Sequence, residues 1–148
     1  MAKNVIKDLI ETVEDGRKGF EKTEERLRED GYTDLASQMS EYSEQRARFA
    51  SELREAAARA GFEIEEDGSI AGALHRGWIA LSDALTGDDP EAVLSAAEAG
   101  EDHAVDEYED ALEDDELTGE LRDIVARQAS EVKQTHDRVR ALRDGFES

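Results

Sequence analysis

Apolar residues recur every three or four positions along almost the whole chain, and a single proline, Pro90, interrupts 148 residues. That period is the mark of amphipathic helices that each turn one stripe toward a shared core, and the two-residue alternation of a strand is missing. The expected class is therefore all-α. A chain of this length makes one domain, 1–148, and buries enough surface to fold without disulfides or a structural metal.

The first helix aligns Ile6, Leu9, Val13, Gly16, Phe20, Thr23 and Leu27 on one seam, with Asn4 as its expected N-cap and Gly31 as its stop. A second helix, capped by Thr33, aligns Leu35, Met39, Tyr42, Arg46, Phe49, Leu53, Ala56 and Ala60 before Gly61. One charged residue, Arg46, thus stands where a hydrophobe is expected. The connection that follows, about 61–90, is too long for a turn and holds its own amphipathic stretch, 69–85, with Ile70, Leu74, Trp78, Leu81 and Leu85 on one face. Asp89 followed by Pro90 is a capping carboxylate with proline at the first helical position, and it predicts the start of a third long helix. Its inward face reads Val93, Leu94, Ala97, Glu101, Ala104, Tyr108, Ala111 and Leu112. Thr118 opens the last helix, whose inward residues are Leu121, Ile124, Val125, Gln128, Val132, Thr135, Val139 and Leu142. Two tightly linked helices, a long crossover and two more tightly linked helices is the connectivity of a ferritin-like four-helix bundle, here with an extra helix in the crossover.

Charge narrows the partners. Against 39 Asp and Glu there are 18 Lys and Arg, a formal charge of −21. Phosphate recognition needs a basic face, so neither nucleic acid nor an anionic membrane is an expected partner. Arginine outnumbers lysine 13 to 5, and a carboxylate-rich, lysine-poor surface suits a high-salt cytoplasm. Because salt screens such self-repulsion, the melting temperature is expected to rise between low and molar salt. An unchanged melt would remove the halophilic reading and leave the charge as a solubility device.

The absence of cysteine excludes a disulfide framework, a thiolate nucleophile and cysteine-ligated zinc or iron–sulfur centres. The N-terminal stretch meets Asp8 and Glu11 too early for the apolar core of a signal peptide, and no apolar run is long enough to span a membrane. The expected compartment is the cytoplasm.

Ferritin-like di-iron proteins draw a carboxylate from each of two helices and a Glu-x-x-His pair from each of the other two, because i and i+3 side chains share a face and can bracket two metal ions. Glu101 and Tyr108 resemble the Glu-x6-Tyr pattern of rubrerythrin-like and bacterioferritin-like bundles. The corresponding span of the first helix holds Val13 and Phe20, which cannot ligate. The second helix offers Gln45 and Arg46, and the last offers Gln128, Glu131 and His136, the final two five residues apart and so on different faces. The expected interior is a buried polar network of Arg46, Glu101, Tyr108 and Gln128, with the guanidinium neutralising the carboxylate. The alternative is a residual iron site built from Glu101, Glu131 and His136. His75 beside Arg76 is a weaker anion candidate, and His103 points away from its seam. The face of Ile70, Leu74, Trp78 and Leu81 makes a homodimer interface if exposed, or covers its own bundle if not.

The chain further resembles a bacterial family of ferritin-like four-helix-bundle domains of unknown function, distant relatives of the rubrerythrins. The likeness is carried by Leu9-Ile10-Glu11-Thr12, Asp15-Gly16 and Gly19-Phe20, and by Gln45-Arg46, Phe49-Ala50 and Glu52-Leu53. It extends through the run 68–78 that ends in Gly77-Trp78, Gly100-Glu101-Asp102, Tyr108, Gln128, Val132, His136-Asp137 and Leu142-Arg143-Asp144. The resemblance implies ferritin-like ancestry. With no nucleophile, glycine-rich phosphate loop or acid–base pair in view, the leading expectation is a non-catalytic bundle without a cofactor, engaging a protein partner in stress physiology. The alternative is an iron-binding oxidase, peroxidase or storage protein. Carboxylate mimicry of nucleic acid ranks last.

Overall fold

In the computed structural model, which describes residues 2–63, 78–87 and 89–146, all regular structure among the described residues is helical. The elements are α1 (Ala2–Glu29), α2 (Thr33–Arg59), α3 (Ile79–Ala84), α4 (Pro90–Glu113) and α5 (Gly119–Asp144). None of the described helices is long and apolar enough to cross a membrane.

The seam anticipated for α1 is buried throughout, from Ile6 to Leu27. Its start differs: α1 already runs from Ala2, so Asn4 lies inside the first turn and does not cap it. Ala2 and Lys3 are both good helix formers, and nothing before Asn4 opposes the helix. At the other end Gly31 adopts φ +89, and the Tyr32 N–H reaches back to the Leu27 carbonyl at 2.8 Å. Gly61 closes α2 the same way, with φ +86 and Phe62 N–H donating to the Ala57 carbonyl at 2.9 Å. These six-to-one bonds satisfy carbonyls that a helix end leaves open.

Thr33 is the first residue of α2 and not its cap; Tyr32 takes the cap position without a side-chain hydrogen bond. The buried stripe of α2 also lies slightly off the anticipated one. Leu35 and Tyr42 are half-buried and Ala60 is exposed, while Ala36, Ser43, Ala50 and Ala57 are buried. The reason is that α2 meets α1 on one flank and α5 on the other, so small residues beside the seam are covered and Ala60, past the helix end, is not. The start of α4 is as anticipated: the Asp89 carboxylate accepts the Glu91 N–H at 3.0 Å, with proline at the first turn.

Two apolar clusters show how the helices run. Ile6, Leu9 and Ile10 share one with Phe49, Leu53 and Ala57, Ala104, Tyr108 and Ala111, and Leu121 and Val125. Phe20 and Leu27 share the other with Ala36 and Met39, Val93, Leu94 and Ala97, and Val139. The starts of α1 and α5 therefore meet the ends of α2 and α4. Since α1 packs on α2 and α4, and α5 packs on α4 and α2, every packed pair of long helices is antiparallel. The two remaining pairs, α1 with α5 and α2 with α4, each run in one direction across a diagonal. A 27-residue helix is about 40 Å long, so the chain must return that distance between α2 and α4.

Of that return path, the described residues resume at Trp78. Trp78 and Leu81 are buried in the second cluster, covering the protein's own core and leaving no exposed face at those two positions. Ile70 and Leu74, the other half of the anticipated interface, lie outside the described residues, as do Gly72, His75, Arg76 and Gly77. Arg26 of α1 ties down the far end of α3, donating to the Leu85 carbonyl at 2.8 Å and to that of Gly87.

Candidate functional site

Between the two apolar clusters lies a polar layer. Arg46 of α2 and Glu101 of α4 face each other across the diagonal and form a forked pair, Nη1 to Oε1 and Nη2 to Oε2, both at 2.6 Å. Their side chains are 1% and 0% exposed. The two parallel N–H donors of a guanidinium match the two oxygens of a carboxylate, and the low dielectric of the interior strengthens the match. The backbone makes room for it. A Cβ at Gly16 of α1 would stand 3.2 Å from Nη1, so a larger residue there would press on the pair. Phe20 and Phe49 wall the guanidinium, with ring centroids 5.4 and 6.0 Å from its carbon. A third donor, Nε, goes to the Gln45 side-chain carbonyl at 3.3 Å, and the Thr135 hydroxyl lies 3.3 Å from the same oxygen.

Tyr108 and Gln128 form a second unit. The phenol donates to Gln128 Oε1 at 2.7 Å, and Gln128 Nε2 donates to the Phe49 carbonyl at 3.3 Å and to Glu52 Oε1 at 3.0 Å. Glu52 in turn accepts from Arg127 at 2.6 Å, and Arg127 also holds Glu131 at 3.1 Å. This chain leads from the core to the surface. Burial pushes the Tyr108 phenol far above its usual range, helped by the nearby carboxylates of Glu101 and Glu52 and opposed by Arg46, so Tyr108 stays a donor. The Arg46–Glu101 fork and the Tyr108–Gln128 pair share no hydrogen bond among the described residues; the Thr135 hydroxyl, 3.1 Å from the Glu131 carbonyl, links their outer members. The anticipated residues form two pairs, Arg46–Glu101 between the two apolar clusters and Tyr108–Gln128 within the first, and Gln45, Glu52, Arg127 and Thr135 complete them.

The alternative iron set is not gathered. Both oxygens of Glu101 are taken by Arg46, Glu131 lies on the flank of α5 against Arg127, and His136 faces Asp102 of α4. Among the described residues no group of three His, Asp or Glu side chains is placed to hold a metal ion. His103 is half-exposed, 3.5 Å from Glu107 on its own helix.

Residues 1–114 match a family model described as a domain of unknown function, DUF2383. The chain belongs to that family. The DUF2383 match takes in Arg46, Glu101, Tyr108 and Trp78, and it stops before α5. Gln128 and His136 therefore lie beyond it, so the resemblance read in the last helix is not part of the matched span. No curated protein matches the chain.

In this DUF2383 chain His136 sits between two carboxylates, Asp102 of α4 and Asp137 of its own helix. Burial of the ring disfavours its charge, but hydrogen bonds to Asp137 and Asp102, with their negative charges, outweigh burial and hold its pKa above the ordinary value. The ring contacts are 2.5 Å from Nε2 to Asp102 and 3.1 Å from Nδ1 to Asp137. A raised pKa means the folded state binds the proton more tightly, so this contribution is whole below the unfolded value near 6.5 and fades as pH rises through the folded value. His136→Gln is thus expected to destabilise more at pH 6 than at pH 8.5 in urea titrations. Equal losses at both pH values would mean the imidazolium gains nothing from Asp102 and Asp137.

Proposed function

We propose that this chain is a ferritin-like four-helix bundle whose metal-binding interior has been replaced by an arginine–carboxylate pair, and that it acts without catalysis by engaging a protein partner. The antiparallel packed pairs and the diagonal crossover support the ferritin-like reading, since that connection separates such bundles from simple up-and-down ones. Glu101 and Tyr108 stand at the Glu-x6-Tyr spacing on α4, while Val13 and Phe20 hold the corresponding places on α1, both buried and apolar.

One observation carries the proposal. Glu101, the carboxylate that a dinuclear site would use, gives both oxygens to a buried guanidinium at 2.6 Å. A guanidinium in that position repels a cation, and its rigid fork leaves neither oxygen free. A role in stress physiology rests on the likeness to ferritin-like relatives.

The test is elemental analysis of tag-free protein expressed in iron-supplemented medium, repeated after anaerobic ferrous titration. Well below one metal ion per folded chain is expected in both. Stoichiometric iron that disappears in Glu101→Gln, with the variant still folded by circular dichroism, would overturn the proposal in favour of an iron-dependent oxidase or storage protein.

A further inference from the structure

A groove of about 220 Å³ lies between α2 and α5, lined by Tyr42, Gln45, Glu131, Gln134, Thr135 and Arg138. Its chemistry is lopsided toward donors. The Gln45 carbonyl accepts from Arg46 Nε, so the half of the amide left for a ligand is its NH2 group. Among the described residues the Tyr42 hydroxyl and the Arg138 guanidinium have no hydrogen-bond or ion-pair partner. Elsewhere on α5, Arg127, Arg140 and Arg143 each face a carboxylate and Arg122 donates to the Leu112 carbonyl. With 39 acidic residues in the chain, a guanidinium left open beside a phenol and an oriented amide stands out. Glu131 is the one carboxylate on the wall, and Arg127 engages it at 3.1 Å, which offsets its repulsion of an anion.

We propose that this groove binds a small organic carboxylate, with Arg138 forked onto its two oxygens and Tyr42 and Gln45 supplying the remaining donors. The volume is several times the roughly 30 Å³ share of one water, enough for a molecule of a few heavy atoms. The overall negative charge acts against any anion at a distance, but at moderate salt that field is screened within about 10 Å, while contacts inside the groove persist. The site stands apart from the Glu101 question, since it needs Gln45 oriented by Arg46 and no metal.

The probe is sodium acetate, titrated into the isotopically labelled full chain at constant ionic strength, with sodium chloride as the control. Saturable shifts of the Gln45 side-chain amide and the Arg138 Nε–H resonances are expected. Charge-assisted hydrogen bonds are each worth enough that Arg138→Gln should weaken binding about tenfold or more, with a smaller loss in Tyr42→Phe. Both positions border solvent, and unchanged melting temperatures would show that the variants remain folded. Shifts that never saturate, that chloride reproduces, or that survive Arg138→Gln overturn the proposal. A short peptide with a free C-terminal carboxylate is the second arm: binding tighter than acetate would overturn the small-molecule assignment in favour of a protein terminus.

Discussion

Arg46→Ala is expected to lower the free energy of unfolding by about 3–5 kcal/mol, because removing one member of a desolvated ion pair leaves the other charged and unsatisfied. Urea denaturation followed by circular dichroism measures it directly. The expectation rests on the exposure of the two side chains, 1% and 0%, and on Glu101 having no other hydrogen-bond donor among the described residues. For a domain with a total stability of about 5–15 kcal/mol, the loss is a large fraction of the whole. The double substitution Arg46→Met with Glu101→Leu removes both charges and fills the volume with apolar atoms. It is expected to recover most of that loss, since well-packed hydrophobes often replace a buried ion pair at little cost. A single-mutant change within about 0.5 kcal/mol, the range of surface substitutions, would mean the pair is not desolvated in solution.

The location of this pair was legible because Arg46 and Glu101 both interrupt apolar seams, and a charge on a buried stripe demands an opposite partner on a facing helix. The same logic made Gln128 and Tyr108 stand out. What could not be read was how the four would divide, since seam position fixes a level and a face but not which fork meets which acceptor. Glu52 and Arg127 carried no seam signal for a different reason. They sit on half-buried or exposed flanks, where a charged residue is the ordinary choice and cross-helix pairing has no periodic signature. Helix ends were legible where a side chain does the capping, as at Asp89, and slipped by a residue or two where the backbone simply continues, as at Asn4 and Thr33. The direction of each helix needed the long connection at 61–90, because only its length allows α2 and α4 to run the same way.

Gly100→Ala is expected to destabilise the protein by about 1–3 kcal/mol, although glycine to alanine inside a helix ordinarily gains stability. The reason is Trp78. Its indole is 2% exposed and lies against the backbone of both Gly19 on α1 and Gly100 on α4. A Cβ at either glycine would stand far inside contact distance of the indole ring atoms, and a rigid bicycle wedged between two helices cannot swing aside. Trp78→Ala empties the slot instead, and its expected cost is about 3–5 kcal/mol from the cavity and the lost transfer energy. The two substitutions should not add. With the indole gone, the alanine Cβ at position 100 meets open space and the ordinary helix preference returns, so the double variant should be no less stable than Trp78→Ala alone. Circular dichroism is the right readout, because the chain has one tryptophan and its fluorescence vanishes with it. Strict additivity would mean that the crossover does not dock in this slot. A large coupling would tie the crossover to the polar layer, because Phe20 packs edge-on against Trp78 with centroids 5.1 Å apart and also lies under the Arg46 guanidinium. Gly100 is the neighbour of Glu101 on α4, so displacing the indole also loosens the helix turn that presents the carboxylate. Docking of α3 and formation of the Arg46–Glu101 fork would then be parts of one packing event.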